Sequence, residues 1–236
     1  MGYFSYLSYY NWSYLLFMLP CIIITIVVQA SMKSTFNKYG SIRNSRGLTG
    51  AQAAERLLSR YGVTGVRIER IQGNYTDHFD PRTNVIRLSD AVYSSDSIAA
   101  VGVACHEAGH AVQHAEGYFP NKVRSAILPV ANIGSKLSWI FIVLGLIASV
   151  MQPLLYIGIA LFSASVLFTV ATLPVEFNAS SRALKIIKET DMLSAEEYKG
   201  ASKTLRAAAM TYVAAAATAV MQLLRLLAIA SSRNRD

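Results

Sequence analysis

The sequence predicts a mainly α integral membrane protein in which three or four transmembrane helices carry a small cytoplasmic α+β part. Three observations lead there. Only 15% of the 236 residues are charged, against roughly 25% in ordinary globular chains, while 53% are apolar and the mean hydropathy is +0.35. The uncharged residues are gathered into long runs. Outside those runs the charge is mostly basic, with a formal net of +8. Such a composition excludes a disordered chain, and two cysteines, Cys21 and Cys105, are too few for a disulfide scaffold. The basic excess forms no stripe with interleaved aromatics, so no nucleic-acid partner is expected and membrane orientation accounts for it better.

From Met1 to Met32 no side chain is charged, and Trp12 to Ala30 supplies the 19 residues that a helix needs to cross hydrocarbon. The lead to it is rich in interface residues (Tyr3, Tyr6, Tyr9, Tyr10, Trp12) and has no basic n-region, so a retained anchor is expected over a cleaved signal. Lys33, Lys38, Arg43 and Arg46 follow with no acid until Glu55. The positive-inside rule therefore places the loop in the cytoplasm and the N-terminus outside.

In the wet part, Thr49-Gly-Ala-Gln52 has the capping-box pattern and opens a helix through Leu57, Leu58 and Tyr61 that Gly62 ends. Val66 to Ile71 and Asn84 to Ser89 read as short strands. Phe79 to Thr83 reads as a turn and His78 as an exposed turn residue. Ser94 to Ser97 supplies caps for a helix from about Asp96 to Ala115, stopped by Gly117.

Leu137 to Val175 is an uncharged stretch of 39 residues broken at Met151-Gln152-Pro153, the pattern of a transmembrane hairpin. Its first helix is expected to begin near Val130 and its second to run from Leu154 to Val175. Arg182, Lys185 and Lys188 then agree with a return to the cytoplasm. Ser194-Ala-Glu-Glu197 caps a last helix whose Ala-rich stretch, Ala207 to Ile229, contains Gln222 and Arg225 and is followed by Arg233 and Arg235. That stretch fits either a fourth span or a helix packed on the bundle or lying in the interface. The expected organisation is one composite domain: an anchor (1–32), a cytoplasmic α+β part (33–125), a hairpin (126–175) and a closing pair of helices (176–236).

The chemistry is carried by His106-Glu-Ala-Gly-His110 on the long soluble helix. Residues four apart share a helical face, so His106 and His110 can turn imidazole nitrogens toward one Zn²⁺, while Glu107 stands beside the open position to move a proton. Ala108 and Gly109 permit close approach by another element. A third ligand is needed. The H-E-x-x-H-x-x-G-x-x-H spacing fails to supply it, because Gln113 and Glu116 occupy its glycine and histidine positions. His114 lies one turn further along and suits a supporting or substrate-facing role better than ligation. Glu176 is the better candidate: a lone acid at the end of 39 uncharged residues, returned by the hairpin to the face that carries the histidines. Its alternative is a helix-start acid favouring the dipole.

Through Asp80-Pro-Arg-Thr-Asn-Val-Ile-Arg-Leu88, His106-Glu-Ala-Gly-His-Ala-Val-Gln-His114 and Pro174-Val-Glu-Phe-Asn-Ala-Ser-Ser-Arg-Ala183 the chain resembles the YugP-like neutral zinc metallopeptidases of bacterial membranes. More distantly it is similar to the HtpX and CAAX-prenyl-protease type gluzincins, whose third ligand is the Glu of an E-[FY]-x-A-D motif. The resemblance implies a gluzincin-like soluble part with one Zn²⁺ on His106, His110 and Glu176. It departs at Ser180, which stands where those relatives carry Asp; Ser180, Asn178 or Arg182 would have to supply that support.

The function implied is zinc-dependent endopeptidase action on membrane or membrane-proximal proteins at the cytoplasmic face of a bacterial inner membrane, with Glu107 as base and then acid. Val85, Ile86, Arg87 and Leu88 are expected to pair with an extended substrate. Arg182, His114 and a tyrosine are candidates for stabilising the oxyanion. The partners are a protein or peptide substrate and the lipid bilayer; a regulatory membrane partner and a homo-oligomer are both compatible with the sequence. A rival reading, a non-catalytic zinc-binding scaffold or adaptor, leaves the carboxylate of Glu107 without a purpose.

Overall fold

The structure, a computed structural model, describes residues 3–147 and 151–233. The side chains of the tyrosine-rich lead (Tyr3, Tyr6, Tyr9, Tyr10), three residues at the hairpin tip and Arg235 lie outside what it describes. In chain order the elements are α1 (Tyr3–Gly40), α2 (Gly50–Arg60), β1 (Arg67–Ile71), β2 (His78–Asp80), β3 (Val85–Ser89), α3 (Asp90–Tyr93), α4 (Ile98–Ala115), α5 (Phe119–Ile147), α6 (Gln152–Glu189) and α7 (Ala195–Arg233). They form two compact units: the described residues of Met1–Val28, Lys122–Leu173 and Thr211–Asp236, and those of Gln29–Asn121 with Pro174–Met210.

The second unit holds the α+β part. Its entry helix α2 is closed by the expected box: Thr49 Oγ1 accepts from the Gln52 amide at 3.3 Å and Gln52 Oε1 accepts from the Thr49 amide at 3.0 Å. Gly62, at φ +65°, ends it. Leu57, Ile86, Leu88, Val101, Val112, Ile187 and Met192 are wholly buried in one core that joins α2, β3, α4 and the last turns of α6. Burial at that depth contributes about 1.5–3 kcal/mol per large aliphatic side chain, so this core anchors the unit.

The sheet has the order β1-β3-β2, with β1 parallel and β2 antiparallel to β3. Two corrections to the sequence reading follow. Residues 78–80, His78 included, are a strand where a turn was expected. This strand is too short to show a pattern and is held from outside: the Asp77 carboxylate accepts from the Ser89 amide and hydroxyl at 2.7 and 3.1 Å, and Glu107 accepts from the Phe79 amide at 3.0 Å. Second, β3 is the central strand, partnered by β1 along its whole length and by β2 at Val85, Ile86 and Arg87. It has no free edge there for a substrate; the free edges belong to β1 and β2. The β2–β3 turn is built by Asp80, whose carboxylate accepts from the Arg82 amide and the Thr83 hydroxyl, and by Asn84 at φ +54°.

Helix α4 starts on Ser97, whose Oγ accepts from the Ala100 amide at 3.1 Å. It stops where Gly117, at φ +64°, lets its own amide reach His114 O and the Tyr118 amide reach Gln113 O, the paired bonds of a Schellman end. Gly109 is needed for packing: a Cβ there would stand 2.7 Å from the carbonyl oxygen of Ala179, so α4 and α6 meet backbone to backbone.

Among the described residues, four helices are long and apolar enough to cross a membrane: Tyr14–Gly40, Phe119–Ile147, Gln152–Glu189 and Ala195–Ser232. α5 begins at Phe119, well before Val130, because Pro120 suits a first helical turn and Arg124 places its guanidinium 5.9 Å from the ring centre of Phe168. α6 continues through Pro174 to Glu189 without a break, so Glu176 lies inside a helix and does not start one. Prolines are tolerated within helices of this membrane type. α7 opens on the Ser194–Glu197 box, with both reciprocal bonds present. Arg225, 2% exposed, lies with its guanidinium 5.1 Å from the ring centre of Tyr14.

Candidate metal centre

Three side chains of the second unit converge. α4 presents His106 and His110 from consecutive turns, their rings 4.7 Å apart and nearly perpendicular. From α6, Glu176 Oε2 lies 3.2 Å from His106 Nε2 and 3.5 Å from His110 Nε2. One donor atom from each residue lies within 4.8 Å of the other two, and among the described residues this group has three members. The backbone contact of Gly109 with Ala179, between Glu176 and Ser180 on α6, is what brings the helices close enough for the carboxylate to reach both imidazoles.

Which nitrogens are available follows from the partners behind the rings. His106 Nδ1 is 3.0 Å from Ser180 Oγ, and His110 Nδ1 is 3.0 Å from Gln113 Oε1. Gln113 is fully buried, and its Nε2 donates to Val175 O at 2.8 Å and to Asn178 Oδ1 at 2.9 Å. A carbonyl oxygen only accepts, so Nε2 must face Val175, Oε1 must face His110, and the proton of His110 belongs on Nδ1. Nε2 is thereby the nitrogen turned toward Glu176, protonated when it donates to the carboxylate and able to give its lone pair to a metal once that proton is lost. Two imidazole nitrogens and one carboxylate oxygen are the donor set of a catalytic zinc site with a position left open. Burial lowers the pKa of His110, but the Glu176 hydrogen bond and the charges of Glu107 and Glu176 outweigh it and hold the group above its ordinary value. The carboxylates that favour a positive His110 also suit this group of donors to a cation.

Glu107, beside the histidines, is 8% exposed and accepts from the Phe79 amide on β2. Of the other residues singled out in the sequence, Ser180 touches His106 directly. Asn178 and Arg182 stand behind Gln113: Arg182 Nε donates to Asn178 Oδ1 at 2.7 Å, its Nη2 pairs with Glu116 at 2.7 Å, and its guanidinium lies within 6 Å of the ring centres of Tyr61 and Tyr118. His114 packs on Phe79, ring centres 5.8 Å apart. His78, exposed and bonded to Thr76 O, stays outside the group. Cys105 is buried and donates weakly to Ala53 O, and burial pushes its thiol up to about 12, which keeps it protonated and inert. Gln113 was missed in the sequence, where it counted only as a failed glycine; a large amide on the buried side of the motif helix was the signal.

Residues 14–231 match the family described as "Putative neutral zinc metallopeptidase". The chain belongs to this family. As a member of the neutral zinc metallopeptidases it has Zn²⁺ as its cofactor, and His106, His110 and Glu176 form the group that could bind it. Over 201 residues, 85% of this chain and 89% of the relative, it is 45% identical to a protein of Bacillus subtilis (strain 168) described as "Putative membrane protease YugP". No solved structure matches it. Four apolar helices and this relative agree in placing the metallopeptidase in a membrane.

Proposed function

We propose that the protein is a zinc-dependent endopeptidase that hydrolyses peptide bonds of membrane or membrane-proximal proteins at the cytoplasmic face, with its N-terminus outside. The observation that carries the reading is the pairing of Ser180 with His106 Nδ1 and of Gln113 with His110 Nδ1, which turns both Nε2 atoms toward Glu176 beside the carboxylate of Glu107. A zinc ion held by His106, His110 and Glu176 supplies Lewis acidity, polarising a carbonyl and acidifying water. Glu107 takes the proton of the attacking water and returns it to the leaving amine. Its burial strengthens that exchange by lowering the local dielectric. An extended substrate lies along the outer side of β2, the edge that leads to Glu107, and its side chains pass His114, which with a tyrosine remains a candidate oxyanion donor now that Arg182 is engaged by Glu116.

A structural zinc site closes on four protein ligands, whereas this group has three among the described residues. That favours turnover over a scaffold. In a detergent-based peptidase assay on purified protein, Glu107→Gln is expected to keep stoichiometric zinc and to lose about 10²-fold or more of the rate. Retained cleavage by that variant refutes the assignment.

A further inference from the structure

Away from the metal centre, two helix faces of the second unit enclose a groove of about 400 Å³. On α1 the face is Ser31, Ser34, Thr35 and Lys38, and on α7 it begins with Lys203 and Arg206, each set at helical spacing. α1 has no charged side chain before Lys33, and the Ala-rich stretch of α7 opens at Ala207, so the groove lies where both helices pass from wet to apolar sequence. Its polarity is graded accordingly. Ser31 lies at the apolar end of the α1 face, Ala207 and Met210 at that of the α7 face; Lys38 and Lys203 lie at the wet ends, about 10 Å along each helix. None of Lys38, Lys203 and Arg206 is ion-paired with a carboxylate among the described residues; the nearest acid acting on Lys203 is Glu196, which is itself paired with Lys199. Three cations and three hydroxyls lining one groove, with no carboxylate salt-bridged to those cations among the described residues, are suited to a phosphate oxygen cluster.

We propose that this groove binds the phosphate headgroup of an anionic glycerophospholipid, the headgroup among Lys38, Lys203 and Arg206 and the glycerol directed past Ser31 and Met210 toward the acyl region. Position separates the lipid from a free phosphate ion: an isolated anion has no use for an apolar exit, whereas a lipid requires one. The site does not rest on the peptidase reading, since none of its residues is a member of the His106, His110 and Glu176 group.

The test uses the full chain in phosphatidylcholine nanodiscs, titrated with a fluorescent phosphatidylglycerol and displaced by unlabelled phosphatidylglycerol, phosphatidylcholine or inorganic phosphate. Phosphatidylglycerol is expected to displace the probe at least about tenfold better than phosphatidylcholine, and K203Q/R206Q to erase most of that preference. Ser34→Phe, which fills the groove without changing charge, is expected to erase it as well, while R56Q/R60Q on the exposed side of α2 leaves it intact. Preference retained in K203Q/R206Q overturns the site. Preference retained in Ser34→Phe reduces it to diffuse surface charge and overturns it too. Displacement by inorganic phosphate as effective as by phosphatidylglycerol overturns the lipid as its ligand.

Discussion

Ser180 Oγ lies 3.0 Å from His106 Nδ1, at the position where the HtpX-type relatives carry an aspartate. The hydroxyl can accept from a proton on Nδ1, which would leave Nε2 for a metal, but without a charge it raises the basicity of the imidazole less than a carboxylate would. Ser180→Ala is therefore expected to weaken zinc binding about tenfold or more, and Ser180→Asp to restore or strengthen it. Competition with a chromophoric chelator measures both; equal affinity in Ser180→Ala and the parent would remove Ser180 from the centre.

Gln113 joins one ligand helix to the other, accepting from His110 and donating to the carbonyl that precedes Glu176. Gln113→Leu keeps the volume and removes the partner of His110 Nδ1 and the side-chain donor to the buried Val175 carbonyl, while Asn178 Oδ1 keeps its bond from Arg182. The expected result is about 1–3 kcal/mol of lost stability together with a 10–100-fold loss of zinc affinity. A cobalt-substituted protein reads the second effect independently, because its absorption bands report ligand geometry. Unchanged bands in Gln113→Leu would assign the residue to packing alone.

At Gly109 a single methyl group would meet the Ala179 carbonyl at 2.7 Å. Gly109→Ala favours helix formation locally and still has to push α4 from α6, so a net loss of about 1–3 kcal/mol is expected, with weaker zinc binding. Thermal unfolding with and without added zinc separates the two contributions. Stability equal to or above the parent's would show that the helices have room to give.

Two aspartates bracketing β2 are expected to respond to pH in opposite senses. Hydrogen bonds from the Thr83 hydroxyl, the Arg82 amide and Arg87 hold Asp80 down at about 2, below the ordinary value of about 3.9. Its contribution is present above pH ~4 and lost as the pH falls toward 2, so the parent's advantage over Asp80→Asn shrinks on acidification. Asp77 is pushed up by burial, against the bonds that Ser89 donates to it. Its contribution is complete below pH ~4 and declines as the pH rises through the raised value, so Asp77→Asn gains on the parent toward neutrality. Melting temperatures of the three proteins at matched pH from 3 to 7 give both differences, and slopes of the same sign would contradict the assignment.

The helices and the centre were legible to different depths. His106, Glu107 and His110 announce themselves because a metal site on one helix must repeat at four residues, and Glu176 because a lone acid beside 39 uncharged residues is conspicuous. The caps at Thr49, Ser97 and Ser194 are local chemistry and read directly. β2 is different: three residues carry no period, and its partners, Ser89 through Asp77 and Glu107 through Phe79, come from elsewhere in the chain. The unbroken passage of α6 through Pro174 is hidden for a similar reason, since a proline's effect depends on what packs around it. Gln113 is visible only once α6 supplies Val175 and Asn178.

The hydrogen bond from the Phe79 amide to Glu107 carries one more consequence. That amide lies on the strand whose outer side has no strand partner among the described residues, so a peptide that paired there, as proposed above, would compete with Glu107 for it. On that reading the carboxylate would be held while the edge is vacant and freed by the peptide it is to act upon. Peptides too short to cover Phe79 are then expected to be cut more slowly than longer ones with the same residues at the cleaved bond.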